Sequence, residues 1–302
     1  MKNQIITINS VSELCSVFGF DKPKHPLIAL IDAAQINVPE SQIGTKVVLD
    51  LYMIALKDKD CGIEYGRNHF DFEEGVMAFS GPKQVNTIEE EMKPGEVKGW
   101  MLYFHPDLIR GTHLGSIISE YSFFDYKVVE ALHLSEDEEV LITDTVANIK
   151  NEFSQRIDSH SQRVIVSNIE LLLNYCLRFY DRQFFTRTNQ NKDIFSRFEK
   201  ELKSYFDAEE QLKNSLPTIN YFAEKLNLSS HYFSDLLKKE TGRSAKDHIN
   251  DYIIELAKNY LLGTNQTINE IAYFLGFNYP HYFTRLFKSK TGYTPLAYKQ
   301  LN

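Results

Sequence analysis

Apolar residues in the first third of the chain come in short runs, at 27–31, 46–56, 76–79 and 100–104, rich in Val, Ile, Tyr and Phe. Turn signals such as Glu74-Gly75, Gly81-Pro82 and Pro94-Gly95 separate them. Short strands with Gly/Pro punctuation, up to about Ile109, predict a small barrel or sandwich. From Glu136 the period changes. Ile142, Val146, Ile149 and Phe153 fall at helical spacing, as do Ile165, Ile169, Leu172, Cys176 and Tyr180. Two long helices are expected, over about 137–158 and 161–184. The polar stretch at 186–193 (TRTNQNKD) reads as a linker, and everything after it as helix.

The last ninety residues repeat themselves at a period of about fifty. His231-Tyr232-Phe233 recurs as His281-Tyr282-Phe283, Leu236 as Leu286, Lys238 as Lys288, and Thr241-Gly242 as Thr291-Gly292. Upstream, Ile219, Phe222, Ala223 and Leu226 make a one-faced apolar stripe that Ile268, Ile271, Ala272 and Leu275 match. Asn227 and Gly276 follow the stripes, and both residue types tolerate the left-handed backbone of a tight turn. Thr267 and Glu270 have capping-box spacing. Each copy therefore predicts a short helix, a turn and a second helix, the helix-turn-helix layout. Between the copies, residues 245–262 carry Ile249, Tyr252, Ile253, Leu256, Ala257 and Tyr260 at helical spacing. A helix of that length spans roughly 27 Å at about 1.5 Å per residue. The major groove of DNA repeats every ~34 Å, so a rigid connector could set two reading helices in successive turns of one duplex face.

Composition sharpens this picture. The 302 residues are 43% hydrophobic with a net charge of −8, consistent with two folded domains. No apolar run reaches the ~18 residues of a membrane helix, and the first residues lack a secretory pattern. Cys15, Cys61 and Cys176 stand far apart without C-x-x-C spacing, which points to a reducing cytoplasm rather than disulfides or zinc. From Lys213 onward there are 11 Lys and Arg against 7 Asp and Glu, a balance of +4, whereas the first 212 residues carry −12. A basic end on an acidic body suits a polyanionic partner.

The segments AEKLNLSSHYFSDLLKKETG, AKNYLL and INEIAYFLGFNYPHYFTRLFKSKTGYTP resemble the AraC family of bacterial transcriptional regulators, over about residues 217–298. That resemblance implies an α+β chain. A cupin-like β-barrel with two long helices (1–185, strands to about 110, helices about 137–184) precedes a linker at 186–194. An all-α domain at 195–302 follows, of two helix-turn-helix units joined by a linker helix. The stretch from Tyr65 to Phe72, with the later glycines, looks like the cupin part. The resemblance further implies a cytoplasmic, non-enzymatic regulator of promoter DNA that acts as a homodimer, with no membrane partner. A small-molecule effector controls many relatives, and RNA polymerase is a partner if the output is activation. Activation and repression both stay open.

Two positions depart from the family pattern. Ile253 stands where the connector usually has Arg, and Asp235 where the first reading helix commonly has Arg. Asp235 either accepts from a cytosine amino group or faces solvent above a unit with little base preference.

Residues not needed for packing are the candidates for DNA contact. In the first unit these are His231, Ser234, Asp235 and Lys238; in the second, His281, Tyr282, Thr284, Arg285 and Lys288. Arg285 is the foremost, because a guanidinium takes guanine O6 and N7 bidentately. Lys239, Arg243 and Lys290 are expected to neutralise phosphate, which positions without reading sequence. In the N-terminal domain, Tyr52, Tyr65, Trp100 and Tyr103 are candidate effector contacts, with a filled core as the competing reading. The long helices either dimerise through residues such as Leu171 and Tyr175 or simply pack on the barrel. Enzymatic cupins hold metal with a His-x-His pair; here His69 is followed by Asp71 and Glu73, so neither metal nor cofactor is expected. The alternative reading is a cupin-type metal-dependent enzyme with an accessory helical domain. A protein–protein adaptor, whose helical repeat binds something other than DNA, is the third.

Overall fold

In a computed structural model, residues 5–58, 75–88 and 91–301 are described. They fall into two compact units, Met1–Thr186 and Arg187–Asn302.

The first unit runs β1 (Ile5–Ile8), α1 (Val11–Phe18), β2 (Ile28–Asp32), β3 (Lys46–Leu49), β4 (Tyr52–Asp58), β5 (Gly75–Ser80), β6 (Val85–Thr87) and β7 (Gly99–Phe104). Short helices α2 (Pro106–Ile109) and α3 (His113–Ile117) follow, then β8 (Leu132–Leu134), α4 (Glu136–Phe153) and α5 (Ser161–Thr186). The described strands do not close into the expected barrel. They form a three-stranded sheet, β1-β3-β6, and a five-stranded antiparallel sheet, β2-β7-β4-β5-β8. The apolar run at 46–56 is broken at Asp50-Leu51, so β3 joins one sheet and β4 the other.

Alternation along β7 decides what each face meets. Met101 and Tyr103 join Ile8, Leu14, Ala29, Ile31, Val47 and Leu49 in the core shared by the two sheets. The opposite face of the larger sheet meets α5: Cys176 lies 3.8 Å from Met77, and the Tyr180 ring 6.1 Å from Phe79. Gln183, 1% exposed, accepts from the His133 N–H at 2.8 Å and donates to the Ala131 carbonyl at 3.0 Å. Its amide thus satisfies backbone groups beside edge strand β8. Helix α4 opens with a Ser135/Glu138 capping box and stops at Phe153, short of the expected 158. Asp158 already caps the start of α5, accepting from the His160 and Ser161 N–H groups.

The second unit is α-helical: α6 (Thr188–Asp207), α7 (Gln211–Asn214), α8 (Ile219–Lys225), α9 (Ser230–Thr241), α10 (Ala245–Gly263), α11 (Ile268–Phe274), α12 (Pro280–Thr291) and α13 (Pro295–Leu301). The stretch expected as a linker at 186–194 is helical from Thr188 onward, with only Arg187 between α5 and α6. Asn189, Lys192 and Asp193 face solvent in the first turns of α6 while Asn191 is buried, and the stretch contains no Gly or Pro to stop a helix. The buried side of α6 is Phe198, Leu202, Tyr205 and Phe206. Phe198 meets Phe222 and Phe233 edge-on, with centroids 5.1 Å and 5.3 Å away, so α6 completes the core under α8 and α9.

Candidate nucleic-acid interface

Each helix of the repeat is started by a side chain or a ring that deals with its orphan N–H groups. Thr218, Ser229, Ser244 and Thr267 accept from the N–H three residues on, and Thr267 with Glu270 completes a capping box. Helix α12 has no side-chain cap but places Pro280 in its first turn, where a missing N–H costs nothing. The turns between α8 and α9 and between α11 and α12 contain Asn227 (φ 60) and Gly276 (φ 92).

Helices α9 and α12 are equivalent in detail. Both have 12 residues and end on a left-handed glycine, Gly242 (φ 73) and Gly292 (φ 82). Thr241 donates to the Leu237 carbonyl at 2.7 Å and accepts from the Arg243 N–H. Thr291 does the same with Phe287, at 2.8 Å, and Tyr293. Their buried faces are Tyr232, Phe233, Leu236 and Leu237 in α9, and Phe283 and Phe287 in α12. The connector α10 has 19 residues, which is about 28 Å of rigid helix. Ile253 is fully buried in it. An apolar side chain therefore suits the core where the family usually has Arg.

The expected DNA-facing residues divide by surroundings. His231, Lys238 and Lys239 on α9 and His281, Tyr282, Arg285 and Lys288 on α12 are exposed. Ser234, Asp235 and Thr284 are half-buried, and the Ser234 hydroxyl donates to the Ser230 carbonyl at 2.7 Å. At the start of α12 the rings of Tyr279, His281 and Tyr282 cluster, His281 and Tyr282 with centroids 4.2 Å apart. The Arg285 guanidinium sits over the Tyr282 ring, 5.6 Å from its centre. Ring and cation steady each other on the exposed face.

Arg243 and Lys290, expected at phosphate, are engaged within the protein. Lys290 Nζ lies 3.1 Å from Asp247 Oδ1 and 3.0 Å from Asp251 Oδ1, and Arg243 pairs with Asp251. Asp247 is held down to a pKa of about 2 by hydrogen bonds from Ser244 and Lys290 and by the Lys290 charge. The two aspartates were not among the sequence candidates. Their spacing of four along one helix was readable, but the cations that meet them come from separate elements.

In the first unit, the three described candidates for effector contact, Tyr52, Trp100 and Tyr103, do not converge. Tyr103 is core, its hydroxyl 3.4 Å from Met101 Sδ. Tyr52 stacks on Phe104 at 4.9 Å, at the far end of β7 from Trp100. Tyr65 lies outside the described residues, as do His69, Asp71 and Glu73. Among the described candidates, Trp100 alone lines a cavity of about 560 Å³, with Phe20, Lys22, Ile31, Val146 and Lys150 among its walls. Its indole Nε1 is buried without a hydrogen-bond partner among the described residues. Among those residues no group of three or more His, Cys, Asp or Glu converges as a metal site would. None of the described helices is long and apolar enough to cross a membrane.

Comparison with known proteins gives the duplicated motif a family. Residues 222–301 match the family described as a helix-turn-helix domain. An uncharacterised HTH-type transcriptional regulator of Bacillus subtilis, YobQ, is 37% identical over 82 residues, covering 27% of this chain and 34% of the relative. The bifunctional transcriptional activator and DNA repair enzyme AdaA of the same organism is 34% identical over 90 residues, covering 27% and 43%. The C-terminal domain of the response regulator yesN from Fusobacterium nucleatum is 33% identical over 33% of this chain and 96% of that one, with a TM-score of 0.30. The chain spans less than half the length of the curated relatives it matches. Through residues 222–301, the chain carries the helix-turn-helix domain of the AraC family of transcriptional regulators.

Proposed function

We propose that this chain is a sequence-specific DNA-binding transcriptional regulator that reads two successive major-groove segments of promoter DNA, one with α9 and one with α12. The observation that carries the reading is the pair of equivalent 12-residue helices at the two ends of one 19-residue connector. Arg285 is the principal base contact, steadied by Tyr282. Thr284, His281 and His231 lie along the same reading faces, with Ser234 and Asp235 closer to the packed side. Lys238, Lys239 and Lys288 supply phosphate neutralisation. A modest domain charge makes a single chain a weak binder, so two chains on neighbouring sites gain through effective concentration. Leu171 is 42% exposed on α5 and, with Tyr175 beside it, supports that helix as the homodimer surface. The first unit, read as an opened-out relative of the cupin barrel, holds the effector in the cavity beside Trp100. An activating output adds RNA polymerase as a partner, and the protein works in the bacterial cytoplasm.

The test is retention of fragments of the source genome by the full-length protein across a salt series, beside Arg285→Ala. The reading expects discrete fragments, a steep loss of binding with salt, and a flattened preference in the variant. Binding indifferent to both sequence and salt, with and without metabolite pools, overturns it.

A further inference from the structure

One group of charges has no counterpart in the fifty-residue repeat. Fifty residues beyond Asp247 and Asp251 stand Ala297 and Leu301, and fifty before Lys290 stands Glu240. Arg243 is matched by Tyr293, and these four unmatched charges meet one another. Asp247 and Asp251 are four apart and so share a face of α10. Asp251 takes Arg243, the residue after the glycine that ends α9, on Oδ2, and Lys290, from the last turn of α12, on Oδ1. Asp247 takes Lys290 as well, and its other oxygen accepts from the Ser244 hydroxyl at 2.6 Å. One carboxylate therefore touches cations belonging to both reading helices.

We propose that Asp251, seconded by Asp247, is a positioning residue for DNA reading: it ties the C-terminal ends of α9 and α12 to the connector and so sets their spacing on the duplex. This rests on the two-groove reading above. The pairs are partly exposed, and such pairs add little to overall stability. What a bridge shared between two units contributes is a fixed relative placement. The hydrophobic seam of α10 can tolerate small sliding motions, whereas two charge contacts converging on one carboxylate favour a single register. The same contacts keep Arg243 and Lys290 turned toward the protein rather than fully toward phosphate.

The experiment uses the full chain and a duplex selected from random-sequence DNA by the native protein. Affinity is compared between that duplex and one with a single base pair inserted between its two contacted segments. The insertion moves one segment by about 3.4 Å and turns it by about 35°. The native protein should strongly prefer the original spacing. In Asp251→Asn that preference should fall by about tenfold, and Lys290→Gln should do the same, with the double variant no worse than either single. Asp251→Glu should retain most of it. If instead Asp251→Asn keeps the spacing preference and binds every duplex more tightly, the aspartate only masks phosphate-binding cations and the inference falls. Folding of each variant is followed by its thermal transition, and Lys290→Gln carries the test if Asp251→Asn does not fold. If the native protein selects no duplex at all, the two-groove reading falls, and this inference with it.

Discussion

Arg187, 5% exposed at the start of the second unit, donates through Nη1 to the hydroxyl of Tyr232, 3.3 Å away in the first turn of α9. The residue that leads into the second unit is thereby joined to α9, one of the two helices proposed to read DNA. A hydrogen bond to a charged group contributes about 1.5–3 kcal/mol. Tyr232→Phe should therefore raise the hydrogen-exchange rate of the α9 amides by about tenfold while leaving those of α4 unchanged. Equal rates in variant and native protein would show that the contact contributes nothing.

Gly276 turns the chain between α11 and α12 at φ 92, and a Cβ there would lie 3.0 Å from the Gln211 Cβ and 3.1 Å from the Ser215 carbonyl carbon. Strained backbone and steric contact act together, so Gly276→Ala should cost about 1–3 kcal/mol. Asn227→Gly, at the corresponding turn, should cost far less because Gly adopts φ 60 freely. Thermal unfolding of the two variants side by side makes the comparison. A Gly276→Ala protein as stable as the Asn227→Gly protein would contradict it.

His25 is 6% exposed, and its Nδ1 accepts from the Leu27 N–H at 3.1 Å. Burial holds its pKa below the ordinary histidine value. The folded state therefore favours neutral imidazole, and by linkage the contribution is complete above an unfolded pKa of about 6.5. It is lost as pH falls below that and through the lowered folded value. Urea midpoints of the first unit should therefore decline between pH 7 and pH 5. In His25→Gln the decline should flatten; an unchanged slope would mean that His25 is not its source.

Arg285 and Lys288 sit three residues apart on α12 and should fail differently. Arg285→Ala should relax preference at one base pair, at a cost of about tenfold or more. Lys288→Gln should weaken all sequences alike and lower the salt slope by about one. Tyr282→Ala, which removes the ring beneath the guanidinium, should resemble the arginine variant. Parallel behaviour of Arg285→Ala and Lys288→Gln across sequences would mean that α12 does not read bases.

The helix-turn-helix pairs were legible because each carries its own stripe, turn residue and glycine stop within about twenty-five residues, and the second copy repeats them. The long helices were legible for the same reason, to within a few residues at their ends. Strand partners were not. Nothing in the near-continuous apolar run of 46–56 says that a turn at Asp50-Leu51 sends β3 and β4 to different sheets, and the expected barrel came apart there. The stretch expected as a linker is where the two units divide, but it is helix rather than loop, because polarity alone does not separate a loop from the solvent side of a helix. The stripe that settles it, Phe198, Leu202 and Tyr205, starts further on. Lys290 and Asp247 are 43 residues apart, and only the packing of α12 on α10 brings them together.

Protection of guanine N7 from methylation, mapped on a selected duplex with full-length protein, decides whether two helices on one rigid connector read one face of a duplex. For each bound chain, two protected major-groove segments about 10 base pairs apart on the same face are expected, the α12 segment losing protection in Arg285→Ala. A single protected segment per chain, or two on opposite faces, would contradict that reading.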